Sequence, residues 1–461
     1  MEFFFNLSEL EGLGPLQQQW WLFLHGGWIV YLLIGLPMWY VERLRRKRVA
    51  YVNNAPYVLL AIDVPKETEQ SPKAVESIFT AVAGSHSKPN KYQSYWKGEW
   101  QLPFSFEIVS LGGYIQFFIR VPEKNRDLIE AAIYAQYPDA DIVESEDYID
   151  RISDNFDTEE FDLWGTELIL ENKEVYPIRT YVDFEHQASE DFKDPMASLL
   201  ELLSRIHSDE DVWIQLLVTP TDDKWKEGGL QEVKRLVEGK PPKKPGVFSG
   251  IGSGLIKTLR IMADSLVTYA EVEEVEKVRE MPIPTVIKLT PGQRDIVEGI
   301  ERKISKLGFY CKYRWLYWGR RQTFVKGRGV EGIMGAIKQY NTLNLNAFKP
   351  CKITMTKADY FLTKKRVTWR QRKLLRAYKL RSPFRGWGTG RILNIEELAT
   401  IYHFPVMTVM APLVKKTDMK KAEPPFALPV IQGGARRAKG FTASEATTTG
   451  AGTPSNLPFV D

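Results

Sequence analysis

Cationic and aromatic side chains alternate through Cys311-Lys312-Tyr313-Arg314-Trp315-Leu316-Tyr317-Trp318-Gly319-Arg320-Arg321. On a strand, residues two apart share a face, so Lys312, Arg314 and Leu316 fall opposite Tyr313, Trp315 and Tyr317. Further on, Lys364-Lys365-Arg366, Arg370, Arg372, Lys373, Arg376, Lys379 and Arg381 crowd a helix-like stretch broken at Pro383. Cations neutralise phosphates and aromatic rings stack on bases, so these types together point to a nucleic-acid surface of low sequence specificity, with single-stranded DNA as its ligand. The residues expected to form it are Lys312, Arg314, Arg320, Arg321, Arg366, Arg370, Arg372, Lys373 and Arg376. Two plainer readings compete. The rings could be core with the charges simply solvated, or the basic surface could face anionic lipid.

Other chemistry finds less support. Gly250-Ile251-Gly252-Ser253-Gly254-Leu255-Ile256-Lys257-Thr258 ends in Lys-Thr, but no glycine precedes the lysine, as a phosphate-cradling loop requires. Gly327-Arg328-Gly329-Val330-Glu331-Gly332 fits the dinucleotide spacing, yet residues 332–358 contain no acid to hold a ribose. A tight turn into a helix is the better reading. The five histidines (His25, His86, His186, His207, His403) lie far apart, and the two cysteines, Cys311 and Cys351, have no metal or redox spacing. No nucleophile–base set assembles, so no catalytic residue, metal site or cofactor is expected.

The net charge of +4 conceals a split. Residues 123–238 hold 31 acids against 11 Lys and Arg, whereas residues 302–391 hold 24 Lys and Arg against Glu331 and Asp359. A single-signed region attracts polyanions. The acidic region reads as a solvated face or as a dock for the chain's own basic half.

Positioning these residues needs an α+β chain. Residues 55–147 read as strand–helix–strand–strand–helix–strand, the ferredoxin-like (βαββαβ) order, with a hairpin at Leu111-Gly112-Gly113. Residues 283–356 read the same way, from strand Ile283–Leu289 through the capping box Thr290-Pro291-Gly292-Gln293. A hairpin around Gly319-Arg320 joins Phe309–Trp318 to Arg321–Lys326, and Lys352–Thr356 closes the module as a strand. Between them, Thr166–Glu171, Tyr176–Glu185 and Val212–Thr219 are expected strands, with helices after Asp194-Pro195 and over Lys224–Glu238. The partition is an extracytoplasmic N-terminus (1–19), a transmembrane helix (20–40), ferredoxin-like modules at 41–149 and 283–358, and an acidic α/β module (150–238). A connector with one helix (239–282), a basic and partner-docking segment (359–414) and a disordered tail (415–461) complete it.

The transmembrane expectation rests on Trp20–Tyr40, 21 residues without Asp, Glu, Lys or Arg. As a helix it would reach about 30 Å, the thickness of a hydrocarbon core. Aromatics stand at both ends, and Glu42-Arg43-Leu44-Arg45-Arg46-Lys47-Arg48 follows, whereas residues 1–19 hold three acids (Glu2, Glu9, Glu11) and no Lys or Arg. The positive-inside rule then puts the N-terminus outside a cell membrane and the rest in the cytoplasm. A cleaved signal would carry the opposite flanks; a buried core helix is the other alternative.

Several stretches resemble the membrane-anchored N-terminal half of conjugation-type, HerA-like ATPases related to type IV secretion coupling proteins. They are Phe106-Glu107-Ile108-Val109 with Gly112–Ile119, Tyr134-Ala135-Gln136-Tyr137-Pro138-Asp139-Ala140, and Val212-Trp213-Ile214-Gln215 with Asp222-Asp223-Lys224-Trp225-Lys226. The clearest is Ile392-Leu393-Asn394-Ile395-Glu396-Glu397-Leu398-Ala399-Thr400-Ile401-Tyr402-His403-Phe404-Pro405, then Lys421-Ala422-Glu423-Pro424-Pro425. In that family a P-loop motor would follow, and none is present up to Asp461. The resemblance therefore implies a non-catalytic adaptor of a DNA-transfer system that docks a separate cytoplasmic P-loop ATPase. Its partners would be that ATPase, DNA, the membrane and further copies of itself. Glu396, Glu397, Leu398, Tyr402 and Phe404, on a helix capped by Asn394, are the expected docking residues.

Overall fold

The computed structural model describes residues 14–24, 28–65, 70–184, 194–239, 289–388, 390–405 and 420–421. Its first unit runs β1 (Tyr57–Asp63), α3 (Lys73–Gly84), β2 (Phe104–Leu111), β3 (Tyr114–Pro122), α4 (Arg126–Gln136) and β4 (Asp141–Glu144), after helices α1 (Pro15–Leu22) and α2 (Trp28–Asn54). The strands pair antiparallel in the order β4-β1-β3-β2. The β2–β3 turn is tight because Gly112 and Gly113 both take positive φ, 58° and 94°. A Cβ on either would press against the carbonyl oxygens of Ser208 or Ser204, at 2.8 and 2.9 Å. Only glycine meets both demands.

The sheet does not stop there. β6 (Glu210–Pro220) pairs with β2, and β7 (Gly308–Arg320) pairs with β6 over eleven residues. The other edge of β7 holds β5 (Phe161–Leu170) and, near its start, β9 (Arg391–Asn394). β8 (Phe348–Pro350) pairs with β5, and β10 (Lys420–Lys421) with β4, giving a ten-stranded antiparallel sheet among the described residues. The protein is thus mixed α+β.

Both faces are covered. Alternate residues of each strand, such as Phe106, Ile108, Tyr313, Trp315 and Tyr317, share one core with α3, α4, α5 (Ala197–Ser204), α8 (Ile333–Lys338) and α10 (Ile395–Ile401). The opposite residues, among them Val109, Phe118, Trp213, Leu316 and Trp318, pack on α9 (Thr363–Lys379) through Leu374, Leu375 and Tyr378. A smaller core joins α6 (Trp225–Val237) to α7 (Pro291–Ile304). The expected capping boxes at Thr290/Gln293 and Asn394/Glu397 are both formed.

Three expected elements are corrected. Gly319-Arg320 is not a hairpin, because β7 stays paired through Gly319 with β6 and through Arg320 with β5; the chain turns only afterwards, where the Thr323 and Phe324 amides donate back to the Arg320 carbonyl. Lys352–Thr356 is a turn closed on the Cys351 carbonyl rather than a strand. The described part of Tyr176–Glu185, up to Phe184, holds a 3-10 turn, Tyr181–Phe184, and no strand. The described part of 283–358 contributes β7 and β8 to the shared sheet, and the described acidic and basic segments belong to the same compact unit. Strand Ile283–Leu289 apart from Leu289, the connector and helix at 240–282, the first 13 residues, and the tail apart from 420–421 lie outside the described residues.

α2 is 27 residues long and carries Glu42–Arg48 in its middle. Its second half rests on the body: the Arg48 guanidinium lies 4.3 Å from the Trp100 ring centroid, and the Tyr40 hydroxyl donates to the Tyr95 carbonyl at 3.4 Å. The Lys47 ammonium donates to the Trp96 carbonyl. Trp20–Tyr40 is shared between α1 and α2, with 25–27 outside the described residues. Among those residues no helix is long and apolar enough to cross a membrane.

Candidate nucleic-acid interface

The alternation in β7 falls as its sequence demands, but from Cys311 to Gly319 neither face meets water. Arg314 is fully buried and Lys312 nearly so. Arg314 stands in a row that crosses four strands, since Glu107 faces Gln215, Gln215 faces Arg314, and Arg314 faces Glu167. Its Nε donates to Glu167 Oε1 at 2.9 Å and one Nη to Gln215 Oε1 at 3.1 Å. The remaining donors reach the carbonyls of Ala377, Ser382 and Arg385 at 3.0, 2.7 and 2.6 Å. All five N–H groups have a use, as a buried guanidinium requires. Lys312 donates to the Arg385 carbonyl at 2.7 Å, and burial pulls its ammonium down to about 8. Lys312 and Arg314 are therefore removed from the expected interface.

At the other end of the row, Arg381 clamps two carboxylates, Glu107 at 2.7 and 2.9 Å and Asp147 at 2.6 and 3.0 Å. Burial would raise the Glu107 carboxyl, but the charge and hydrogen bonds of Arg381, with hydroxyls from Ser105 and Tyr148, hold it below its usual range. The row thus pins the chain leaving α9 to the sheet.

The outer face of α9 is different. Lys365, Trp369, Arg372 and Arg376 follow one another at helical spacing and are exposed, as is Lys373. The Lys373 ammonium sits 4.6 Å from the Trp369 ring centroid. Arg372 has no carboxylate within ion-pair distance among the described residues, while Arg376 has Asp154 at 3.7 Å. Two of the expected contacts serve the fold. Arg366 donates to the carbonyls of Asp359 and Phe361 at 2.8 and 3.4 Å, and Arg370 to those of Met355, at 3.4 Å, and Lys357. Arg320 and Arg321 are exposed at the far end of β7, where the Arg321 guanidinium reaches the Thr158 carbonyl beside Glu159 and Glu160.

The expected docking residues are also interior. Glu397 is fully buried, bonded to Lys303 at 3.0 Å and accepting from the Ile178 and Asn394 amides, both at 2.9 Å. Glu396 meets Lys306 at 2.7 Å. Leu398, Tyr402 and Phe404 join the main core, with Tyr402 ringed by Phe106 and Phe117 and Phe404 against Tyr137. The capped helix α10 packs on its own sheet, so these five offer no exposed dock.

Sequence reasoning overlooked Glu107, Asp147, Glu167 and Gln215. For three of them the signal was available, since Glu107, Glu167 and Gln215 are polar side chains in largely apolar strands, where burial demands a partner; Asp147, in an acidic run after β4, carries no such signal.

These features define a helix-covered antiparallel sheet with an internal row of cross-strand charges and a run of solvent-facing cations along the outer face of α9. The family model described as a domain of unknown function (DUF8128) matches residues 60–417, and the chain belongs to that family. No curated protein matches the sequence.

Proposed function

We propose that the chain is a non-catalytic, membrane-tethered adaptor of a type IV secretion-like DNA-transfer machine, docking a separate P-loop ATPase and contacting DNA along α9. The observation that carries the reading is the outer face of α9, where Arg372, Lys373 and Arg376 are solvent-facing, whereas Lys303, Arg314 and Arg381 are spent on internal carboxylates. Exposed cations beside an exposed Trp369 suit phosphates and unstacked bases. The connectivity and order of β1–β4 with α3 and α4 support a ferredoxin-like module at 41–149. The tether would be Trp20–Tyr40, whose described part exposes Trp28, Leu32, Leu36, Met38 and Trp39 ahead of the docked basic half of α2. That orientation leaves the body on the cytoplasmic side of a cell membrane.

Fluorescence anisotropy with a labelled single-stranded oligonucleotide tests the DNA contact. Affinity should fall steeply with salt, and Arg372→Glu with Arg376→Glu should weaken binding and flatten that dependence by about one unit of slope per lost phosphate contact. Binding indifferent to salt and to both substitutions would end the electrostatic reading. Co-purification with a P-loop ATPase tests the docking half separately.

A further inference from the structure

The turn that feeds α9 displays Tyr360, Phe361 and Leu362 almost entirely to solvent, 89%, 87% and 71% exposed. Three consecutive large apolar side chains in water are disfavoured, and here the backbone enforces the display. Tyr360 and Leu362 both occupy the left-handed region, at φ 71° and 52°, which bulky side chains rarely adopt. Such conformations persist only where surrounding contacts over-determine them. Arg366 and Arg370, one turn apart on α9, supply those contacts by holding the carbonyls of Met355, Lys357, Asp359 and Phe361. The turn is a braced projection.

Its surroundings are cationic. Lys364 and Lys365 are exposed beside it, and its one acid, Asp359, is 3.6 Å from Lys357. We propose that Tyr360–Leu362 is a wedge that enters the headgroup layer of an anionic lipid bilayer, with Lys364 and Lys365 on the phosphates. An apolar tip backed by cations matches that layer's gradient from acyl chain to charge. The aliphatic Leu362 favours lipid over nucleic acid, because bases stack on rings and gain little from a branched alkyl group. The wedge lies at the N-terminal tip of α9, whereas Arg372, Lys373 and Arg376 lie roughly 14–20 Å further along it, so the two surfaces are separable.

The test uses the full chain carrying Thr363→Cys labelled with an environment-sensitive dye; Cys311 and Cys351 are buried and should not react. The dye should shift blue, and be quenched by brominated lipid, on vesicles of phosphatidylcholine with phosphatidylglycerol but not on phosphatidylcholine alone. Tyr360→Ser with Leu362→Ser should lower that response at least tenfold at unchanged circular dichroism, and Lys364→Glu with Lys365→Glu on the order of tenfold. A dye that stays in water on anionic vesicles overturns the proposal. So does one that answers equally to both lipids, or to an oligonucleotide and not to vesicles. Because the reading is local to residue 363, it is unaffected by whether residues 20–40 insert or Arg372 binds DNA.

Discussion

Arg314 shows why a strand of alternating charge and aromatics misleads. Its salt-bridge partner, Glu167, lies 147 residues away, so nothing local reveals that the guanidinium is interior. The alternation was readable; the covering of both faces was not. Arg381 behaves likewise, and removing it would strand Glu107 in a dry site. Arg381→Met should cost about 3–5 kcal/mol, read as a shift in the urea midpoint, and Arg381→Lys should recover little because one ammonium cannot clamp two carboxylates. A second prediction concerns Glu232 on α6. Burial opposes its ionisation, but hydrogen bonds from Arg235, Lys173 and Tyr176 hold it down to about 2 against an ordinary 4.5. A depressed carboxyl stabilises the fold fully above its unfolded value and loses that contribution as pH falls through the folded one. The stability difference between wild type and Glu232→Gln should therefore be constant above about pH 5 and shrink towards zero on approaching about pH 2.

At the level of elements, local grammar served well wherever the determinants were local. The capping boxes, the glycine turn after β2, and helices α3 to α7 stand close to where periodicity put them, because each depends on residues within a few positions. Strand neighbours are another matter. That β7 slots between β6 and β5 depends on fit across the sheet, and Gly165 on β5 shows how close that fit is. A Cβ there would meet Leu316 Cδ2 at 2.6 Å, Leu374 Cδ2 at 2.8 Å and the Trp315 carbonyl oxygen at 2.8 Å. The two methyls can rotate away, but the carbonyl belongs to the neighbouring strand. Gly165→Ala should consequently destabilise by about 1–3 kcal/mol and loosen α9 from the sheet, which hydrogen exchange at Leu374 and Leu375 would register. Asn394→Ala removes the cap of α10 in a buried setting, with an expected loss of about 1–2 kcal/mol in the same denaturation assay.

For the whole molecule, some of the opposed charges of residues 123–238 and 302–391 meet within one body. Glu167 takes Arg314, Glu210 takes Arg328 at 3.2 Å, and Asp154 takes Lys379 at 3.0 Å; upstream, Glu107 takes Arg381. The basic half fits between strands of the acidic half. Among the described residues, a sheet so interleaved resists parting, since separating β7 from β6 and β5 would expose two strand edges and the Arg314 row at once. Residues 41–405 should thus unfold in one transition, with tryptophan fluorescence and far-ultraviolet circular dichroism superimposing. Independent modules would instead give two or more steps. Salt separates structure from function on the same grounds. Pairs shut inside the sheet are screened little, so raising sodium chloride from about 0.1 to 0.5 M should barely move the midpoint, whereas contacts made by the outer face of α9 should weaken by orders of magnitude. A midpoint that collapsed with salt would mean that the internal pairs are solvated, and the account of the fold given by Arg314 and Arg381 would fail with it.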